Sequence, residues 1–281
     1  PISGIILLDK PYEISSNKAL QIVKNIYKAQ KAGHTGSLDP LATGMLPICL
    51  GEATKVSAYL LDSDKRYSFD CTLGQITATG DIEGEVLETF SIPELTEDLI
   101  NSVLEQFIGD IDQVPPMYSA LKQDGKRLYD LARKGIEVER KARRVKILDL
   151  KLISFDEKTI SLEVQCSKGT YVRSLAEDIG TKLGSGAYVT RLHRVSVNPF
   201  PAEKVLTLEQ LREIQDKGQE ELDSILLPLD TALPTWPSIS LTDDMVFYFR
   251  RGQHLMLSGQ NYQQLVKVYD ANETFIGIAE G

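Results

Sequence analysis

The most chemically suggestive stretch of the chain is 33–44, Gly-His-Thr-Gly-Ser-Leu-Asp-Pro-Leu-Ala-Thr-Gly. The stretch holds three glycines, a histidine and an Asp-Pro pair, and it follows neither a helical nor a strand period. Core packing does not ask for that composition. A loop rich in Gly and Thr, with one carboxylate just before a proline, is suited to presenting that carboxylate, Asp39, to a ligand. The competing reading is a surface turn in which Asp39 only hydrogen-bonds nearby backbone. Four other placements stand out. Lys65-Arg66-Tyr67 sets a basic pair before a strand aromatic. Residues 167–173 (Ser-Lys-Gly-Thr-Tyr-Val-Arg) put Tyr171 and Arg173 at a helix start. A cation in a first helical turn opposes the macrodipole, which predicts an anionic partner for Arg173. Arg191-Leu192-His193-Arg194 falls on a late strand, and 115–122 (Pro-Pro-Met-Tyr-Ser-Ala-Leu-Lys) leads into a basic segment. A carbohydrate hydrolase built on Asp39 would need a matching second carboxylate, and none accompanies it.

Hydrophobic period and caps give the strands and helices around these side chains. Strands are expected at 4–9, 66–73, 144–155, 159–166 and 187–197. Tyr67, Phe69, Cys71 and Leu73 fall on one face of the second of these. Helices are expected from an N-cap near Ser15 to 28, over 52–61, from Thr96 to a stop at Gly109, over 128–134, from Gly169-Thr170 to 183, and after a capping box at Thr207 and Gln210. Strands that do not alternate strictly with helices predict an α+β fold on a mixed, mainly antiparallel sheet. After Pro228 the texture changes to a linker-like stretch with Pro234, Trp236 and Pro237, a short helix at 243–250, and strand-like runs at 265–269 and 274–279. This predicts a large domain over 1–228 and a small, shortened β-rich module over 229–281.

Composition bounds the class. The chain has 281 residues, 42% hydrophobic and 25% charged, ordinary for a soluble globular protein. It has no apolar run long enough for a membrane span. Its start lacks the basic and apolar regions of a secretory signal, and the missing initiator Met points to processing or trimming. Three separated cysteines without metal-ligand spacing (Cys49, Cys71, Cys166) predict buried free thiols in a reducing cytoplasm and no metal site. The net charge of −9 argues at first against nucleic acid. Its distribution answers that: 81–112 carries ten acids and no base, whereas 113–151 carries eleven bases against five acids. Local charge decides, because screening removes distant charges beyond about 8–10 Å.

Taken together, the motifs resemble the bacterial tRNA pseudouridine-55 synthases, the TruB-type family. The resemblance rests on Leu8-Asp9-Lys10-Pro11, the 33–44 loop, Gly51-Glu52-Ala53-Thr54-Lys55, Asp64-Lys65-Arg66-Tyr67, 117–122 with 125–129, 167–173 and 191–195. They cover residues 4–200 in the family's order, and the glycine loop with its Asp-Pro is the most specific of them. The resemblance implies isomerisation of uridine to pseudouridine in the T-arm loop of tRNA, without cofactor or metal, by a monomer. It implies that Asp39 is the catalytic aspartate and that Arg173 pairs with it. Tyr67 would stack on the flipped base, although an alternating strand also suits a plain core aromatic there. Tyr171 and Leu192 would line the uridine pocket, and His34 would fill the loop the base vacates. The 113–151 segment matches an insertion that closes over RNA, with Arg143 and Arg144, together with Lys65 and Lys168, on the RNA backbone. The tail resembles a PUA-type RNA-binding module. One departure is Thr77-Ala78-Thr79, where the family usually has Asp between the threonines; Asp81 follows, and no role is moved to it. A second is Ser37, where Ala is common. The alternative reading is a non-catalytic tRNA-binding chaperone using the same surface.

Overall fold

The computed structural model describes residues 2–119, 121–123, 125–257 and 264–280. Of the basic segment, Ala120 and Asp124 lie outside the described residues, as do the side chains of Lys122, Gln123 and Arg127. In chain order the strands are β1 (Gly4–Lys10), β2 (Ala32–His34), β3 (Thr43–Leu50), β4 (Lys65–Leu73), β5 (Gln75–Thr77), β6 (Val86–Thr89), β7 (Gly109–Gln113), β8 (Lys122–Gln123), β9 (Lys126–Arg127), β10 (Arg143–Phe155), β11 (Thr159–Cys166), β12 (Ala187–Val197), β13 (Ser238–Ser240), β14 (Leu265–Tyr269) and β15 (Phe275–Glu280). The helices are α1 (Ser16–Ile26), α2 (Ser57–Leu60), α3 (Glu97–Leu104), α4 (Leu128–Ala132), α5 (Val172–Lys182), α6 (Leu208–Lys217), α7 (Gln219–Ser224) and α8 (Asp243–Phe249).

One eight-stranded sheet dominates, in the order β1-β3-β12-β4-β11-β10-β7, with β2 also on β3. Every pairing in it is antiparallel except β12 with β3, so the sheet is mixed and mainly antiparallel, as expected. Burial explains the two kinds of strand sequence. At the β1 and β3 end both faces are covered: Ile6, Leu8, Leu46 and Ile48 join the main core, while Ile5, Leu7, Met45 and Cys49 join a second core behind it. Strands buried on both faces read as continuous apolar runs. The middle of the sheet is covered on one face, so β4 and β11 alternate strictly between buried and half-buried positions.

Helix α5 packs on the covered face through Leu175, Ala176 and Ile179, beside α3. The Thr207 capping box forms at the start of α6. Three expectations shift. The 52–61 helix is a 3₁₀ turn over Gly51–Lys55 followed by the single turn of α2. The helix from Thr96 is α-helical only to Leu104 and tightens to a 3₁₀ turn over Glu105–Phe107 before Gly109, at φ +98°, stops it and opens β7. The glycine-rich stretch is a loop only over 35–42: Gly33 and His34 belong to β2, and Thr43 and Gly44 to β3.

The tail forms a three-stranded sheet, β13-β14-β15, with α8 on its own small core of Ile239, Leu241, Val246, Val266 and Val268. Trp236 is not loose linker. It packs edge-on to Tyr59 at 4.7 Å and, with Phe275 and Ile278, against the second core of the main sheet.

Candidate active site

The 35–42 loop connects two adjacent antiparallel strands, and its backbone is fastened from three sides. Ser16, buried at the start of α1, donates its hydroxyl to the Leu38 carbonyl at 2.9 Å and accepts from the Leu38 N–H at 2.7 Å. Arg194, 1% exposed on β12, donates Nη2 to the Gly36 carbonyl at 3.0 Å and Nε to the Met45 carbonyl at 2.7 Å. Lys10 is fully buried at the end of β1, where its ammonium reaches the carbonyls of Pro11 and Ile14 at 2.8 and 2.7 Å and lies 3.5 Å from that of Pro40. Gly44 must be glycine: it sits at φ +103°, and a Cβ there would lie 2.3 Å from the Arg194 carbonyl. Asp39 is left at the tip with 42% of its side chain exposed.

Arg173 meets it from the opposite wall. The turn ahead of α5 is clamped by Gln113, whose side chain accepts from the Tyr171 N–H at 2.7 Å and donates to the Tyr171 carbonyl at 3.0 Å. That directs Arg173, 5% exposed, toward the loop, and its Nη2 lies 2.9 Å from Asp39 Oδ2. The first-turn cation therefore has its anion, and it has a second. Asp81 Oδ2 lies 3.7 Å from Arg173 Nη1, and the Asp81 side chain is only 4% exposed. Thr79 Oγ1 donates to Asp81 Oδ1 at 2.5 Å, and the Glu83 N–H at 3.1 Å. Arg173 also donates to the carbonyls of Thr79 (2.8 Å) and Tyr118 (2.7 Å). Two carboxylates and two carbonyls thus satisfy a buried guanidinium that would be costly alone. The sequence gives Asp81 no role, since it stands three positions from where the family carries its Asp. The signal it held was its place near the emptied position 78.

Asp39 and Arg173 stand between two cavities. The smaller, about 290 Å³, is lined by Tyr67, Tyr171, Leu192, Lys65 and Arg194 as well as by the pair itself. Aromatic and aliphatic side chains line this slot together with the cations Lys65 and Arg194. Burial pushes the pKa of the Tyr67 phenol upward, with nearby Arg194 opposing, and burial raises that of Tyr171 too. The larger cavity, about 760 Å³, is a groove running past His34, the α1 N-terminus, Tyr118, Tyr129 and Arg133. Burial and the Arg194 charge lower the His34 pKa, so its imidazole is neutral at pH 7. Tyr67, Tyr171 and Leu192 are thus brought together on the slot side, and His34 stands on the groove side.

The four expected backbone cations fare differently. Lys65 is a correction: it occupies the first inward position of β4, 9% exposed, with Nζ on the Ser63 carbonyl at 2.5 Å. It is a slot wall rather than a surface cation. Lys168 is exposed but ion-paired to Asp62 at 2.7 Å. Arg143 and Arg144 open β10 on the surface, where β10 pairs with acidic β7, and Arg144 lies 3.3 Å from Asp112. No cluster of three or more His, Cys, Asp or Glu side chains suited to a metal occurs among the described residues, nor any helix long and apolar enough to cross a membrane.

The fold that positions this pair is shared with solved structures. A structure titled "Crystal Structure of a Cbf5-Nop10-Gar1 Complex" superposes with a TM-score of 0.75 at 27% identity, over 99% of this chain and 78% of that one. Three family models tile the sequence: TruB family pseudouridylate synthase (N terminal domain) over 24–172, tRNA pseudouridylate synthase B C-terminal domain over 173–234, and Pseudouridine synthase II TruB, C-terminal, over 237–281. Proteins named tRNA pseudouridine synthase B from Nitrosococcus oceani and Pseudomonas putida are 51% and 52% identical, each over 99% of this chain and 90% and 92% of their own lengths. The chain belongs to the TruB family of pseudouridylate synthases.

Proposed function

We propose that this protein isomerises uridine to pseudouridine in tRNA, at position 55 of the T-arm loop, with Asp39 as the essential carboxylate. The observation that carries the reading is the Asp39–Arg173 pair at the mouth of a slot walled by Tyr67, Tyr171 and Leu192. About 50% identity to relatives named for tRNA, against 27% to the Cbf5 chain, favours tRNA as substrate.

The chemistry balances within the substrate. The bond from N1 to the ribose breaks, the uracil turns, and C5 bonds to the ribose carbon. C5 gives up its proton, and N1 ends protonated. No electrons leave and no group is transferred, so the reaction calls for no cofactor or metal. The target base leaves the loop stack, at a cost of a few kcal/mol, and lies against Tyr67 in the slot. Asp39 acts as nucleophile or as counter-charge to the sugar as the bond breaks. Arg173 fixes its carboxylate, and His34 on the groove side props the vacated stack. Arg143, Arg144 and Lys168 meet the RNA backbone, Lys168 and Arg144 by exchanging Asp62 and Asp112 for phosphate. Residues 1–228 form the catalytic unit and 229–281 the RNA-gripping module, working as a monomer in the cytoplasm.

The test is chemical mapping of pseudouridine in tRNA transcripts incubated with wild type and Asp39→Asn. Product at position 55 with wild type only is the expected result. Tight tRNA binding without product by the wild type would favour the chaperone reading.

A further inference from the structure

The 115–122 motif contains a side chain that the reaction as described does not use. Ser119 is 5% exposed, and its Oγ is buried without a hydrogen-bond partner among the described residues. It lines both the slot and the groove, so it stands where the two cavities meet around Asp39. Its backbone is held in place: the Ser119 N–H donates to the Met117 carbonyl at 2.9 Å, and its own carbonyl accepts from the Tyr129 N–H at 3.1 Å. The preceding carbonyl, of Tyr118, is gripped by Arg173 at 2.7 Å. The guanidinium that orients Asp39 therefore also orients the peptide bearing Ser119. The Tyr171 phenol is a polar neighbour. Burial raises that phenol's pKa and the Ser119 hydroxyl pulls it the other way, yet the two do not meet hydrogen-bond geometry.

A buried hydroxyl that stays unpaired is unfavourable, and native interiors rarely keep one without a reason. A pyrimidine supplies one. Its N3–H and adjacent carbonyls form a polar edge, and a base seated against Tyr67 and Leu192 must turn that edge toward some part of the wall. A hydroxyl both donates and accepts, so it can serve either group. We propose that Ser119 is a substrate contact that exchanges a hydrogen bond with the N3–C4 edge of the base held in the slot. This rests on the reading of the slot as a uracil site.

The test measures kcat/KM on a T-arm stem-loop, and melting of the free protein, for wild type and Ser119→Ala. Each enzyme is also assayed on a stem-loop carrying 3-methyluridine at the target position. Ser119→Ala is expected to lose about tenfold in kcat/KM, equivalent to about 1.4 kcal/mol. Its melting temperature should be unchanged or higher, because only an unpaired group is removed. The penalty for the N3-methyl group should shrink in the variant, since the contact it disrupts is already gone. Turnover within twofold of wild type, a loss of activity with a fall in melting temperature, or an equal methyl penalty in both proteins would each overturn the proposal. Failure of the underlying reading looks different: wild type would then make no pseudouridine at all.

Discussion

Replacing Asp39 by Asn removes a charge while leaving the loop's fastenings to Ser16, Arg194 and Lys10 intact. Product should vanish while tRNA affinity stays within about tenfold, as read by mapping and filter binding. Substantial turnover by this variant would remove Asp39 from the chemistry. Arg173 calls for a subtler change. Arg173→Lys keeps the charge but cannot hold Asp39, Asp81 and two carbonyls at once, so kcat should fall with little change in KM. Arg173→Met strands the buried Asp81 carboxylate and should cost about 3–5 kcal/mol of stability in urea denaturation. The buried lysines give a pH signature. Burial lowers Lys10 to about 8 against the opposing pull of Asp39, and lowers Lys65 to about 8 with help from Arg194. Between pH 8 and 10 the unfolded chain binds more protons at these sites than the folded one. These two sites therefore make stability rise with pH there, by up to ~1.4 kcal/mol per pH unit for each lysine, until the thiols of Cys49, Cys71 and Cys166, whose pKa values burial raises, ionise in the unfolded chain and act the other way above about pH 9. Above about pH 10 it should fall, because the unfolded tyrosines ionise before buried Tyr27 and Tyr67 do. Lys65→Met should flatten the rise between pH 8 and 9, and an unchanged slope in that variant would show that this ammonium group is not buried as described.

The elements carry their own tests. Ser16→Ala leaves the Leu38 N–H and carbonyl buried and unpaired, a cost of about 1–3 kcal/mol. It should lower kcat by loosening the loop, and a variant with wild-type melting and turnover would show the clamp to be idle. On β10, replacing Arg143 and Arg144 with Ala should weaken binding to all tRNAs alike. It should make the log affinity–log salt slope shallower by about 0.7–0.9 per lost phosphate contact. Arg144 already has Asp112 beside it, so Arg143→Ala should account for more of the loss than Arg144→Ala. An unchanged slope would mark this run as a solvated face. Much of this level was legible in the sequence, because strict alternation in β4 and β11 and the caps at Ser15, Thr96 and Thr207 are local signals. What was not legible depends on partners distant in the chain. Lys65 reads as a surface base until β4 turns its first residue inward, and Asp81 carries no role until Arg173, 92 positions later, arrives beside it.

For the whole molecule, the informative place is the seam between the main sheet and the small C-terminal sheet. The single Trp of the chain, Trp236, sits there against Tyr59, and the Tyr269 hydroxyl donates to Asp230 Oδ2 at 2.7 Å. Tryptophan fluorescence and far-UV circular dichroism should therefore report one coincident unfolding transition. Tyr59→Ala should separate them, with fluorescence moving first, and coincident curves in that variant would show that the seam does not couple the two parts. The strand order of the main sheet has a further consequence, which concerns timing. Asp39 is made early, but the slot beside it needs Tyr67 from β4, Tyr171 and Arg173 from α5, and Leu192 and Arg194 from β12. Strand β12 lies between β3 and β4 and is the last of the eight to be synthesised. A nascent chain that stops short of β12 has a gap in the middle of its sheet and no pocket beside its carboxylate. Competence arrives all at once, only after residue 197 of 281, and no half-made chain can handle RNA productively.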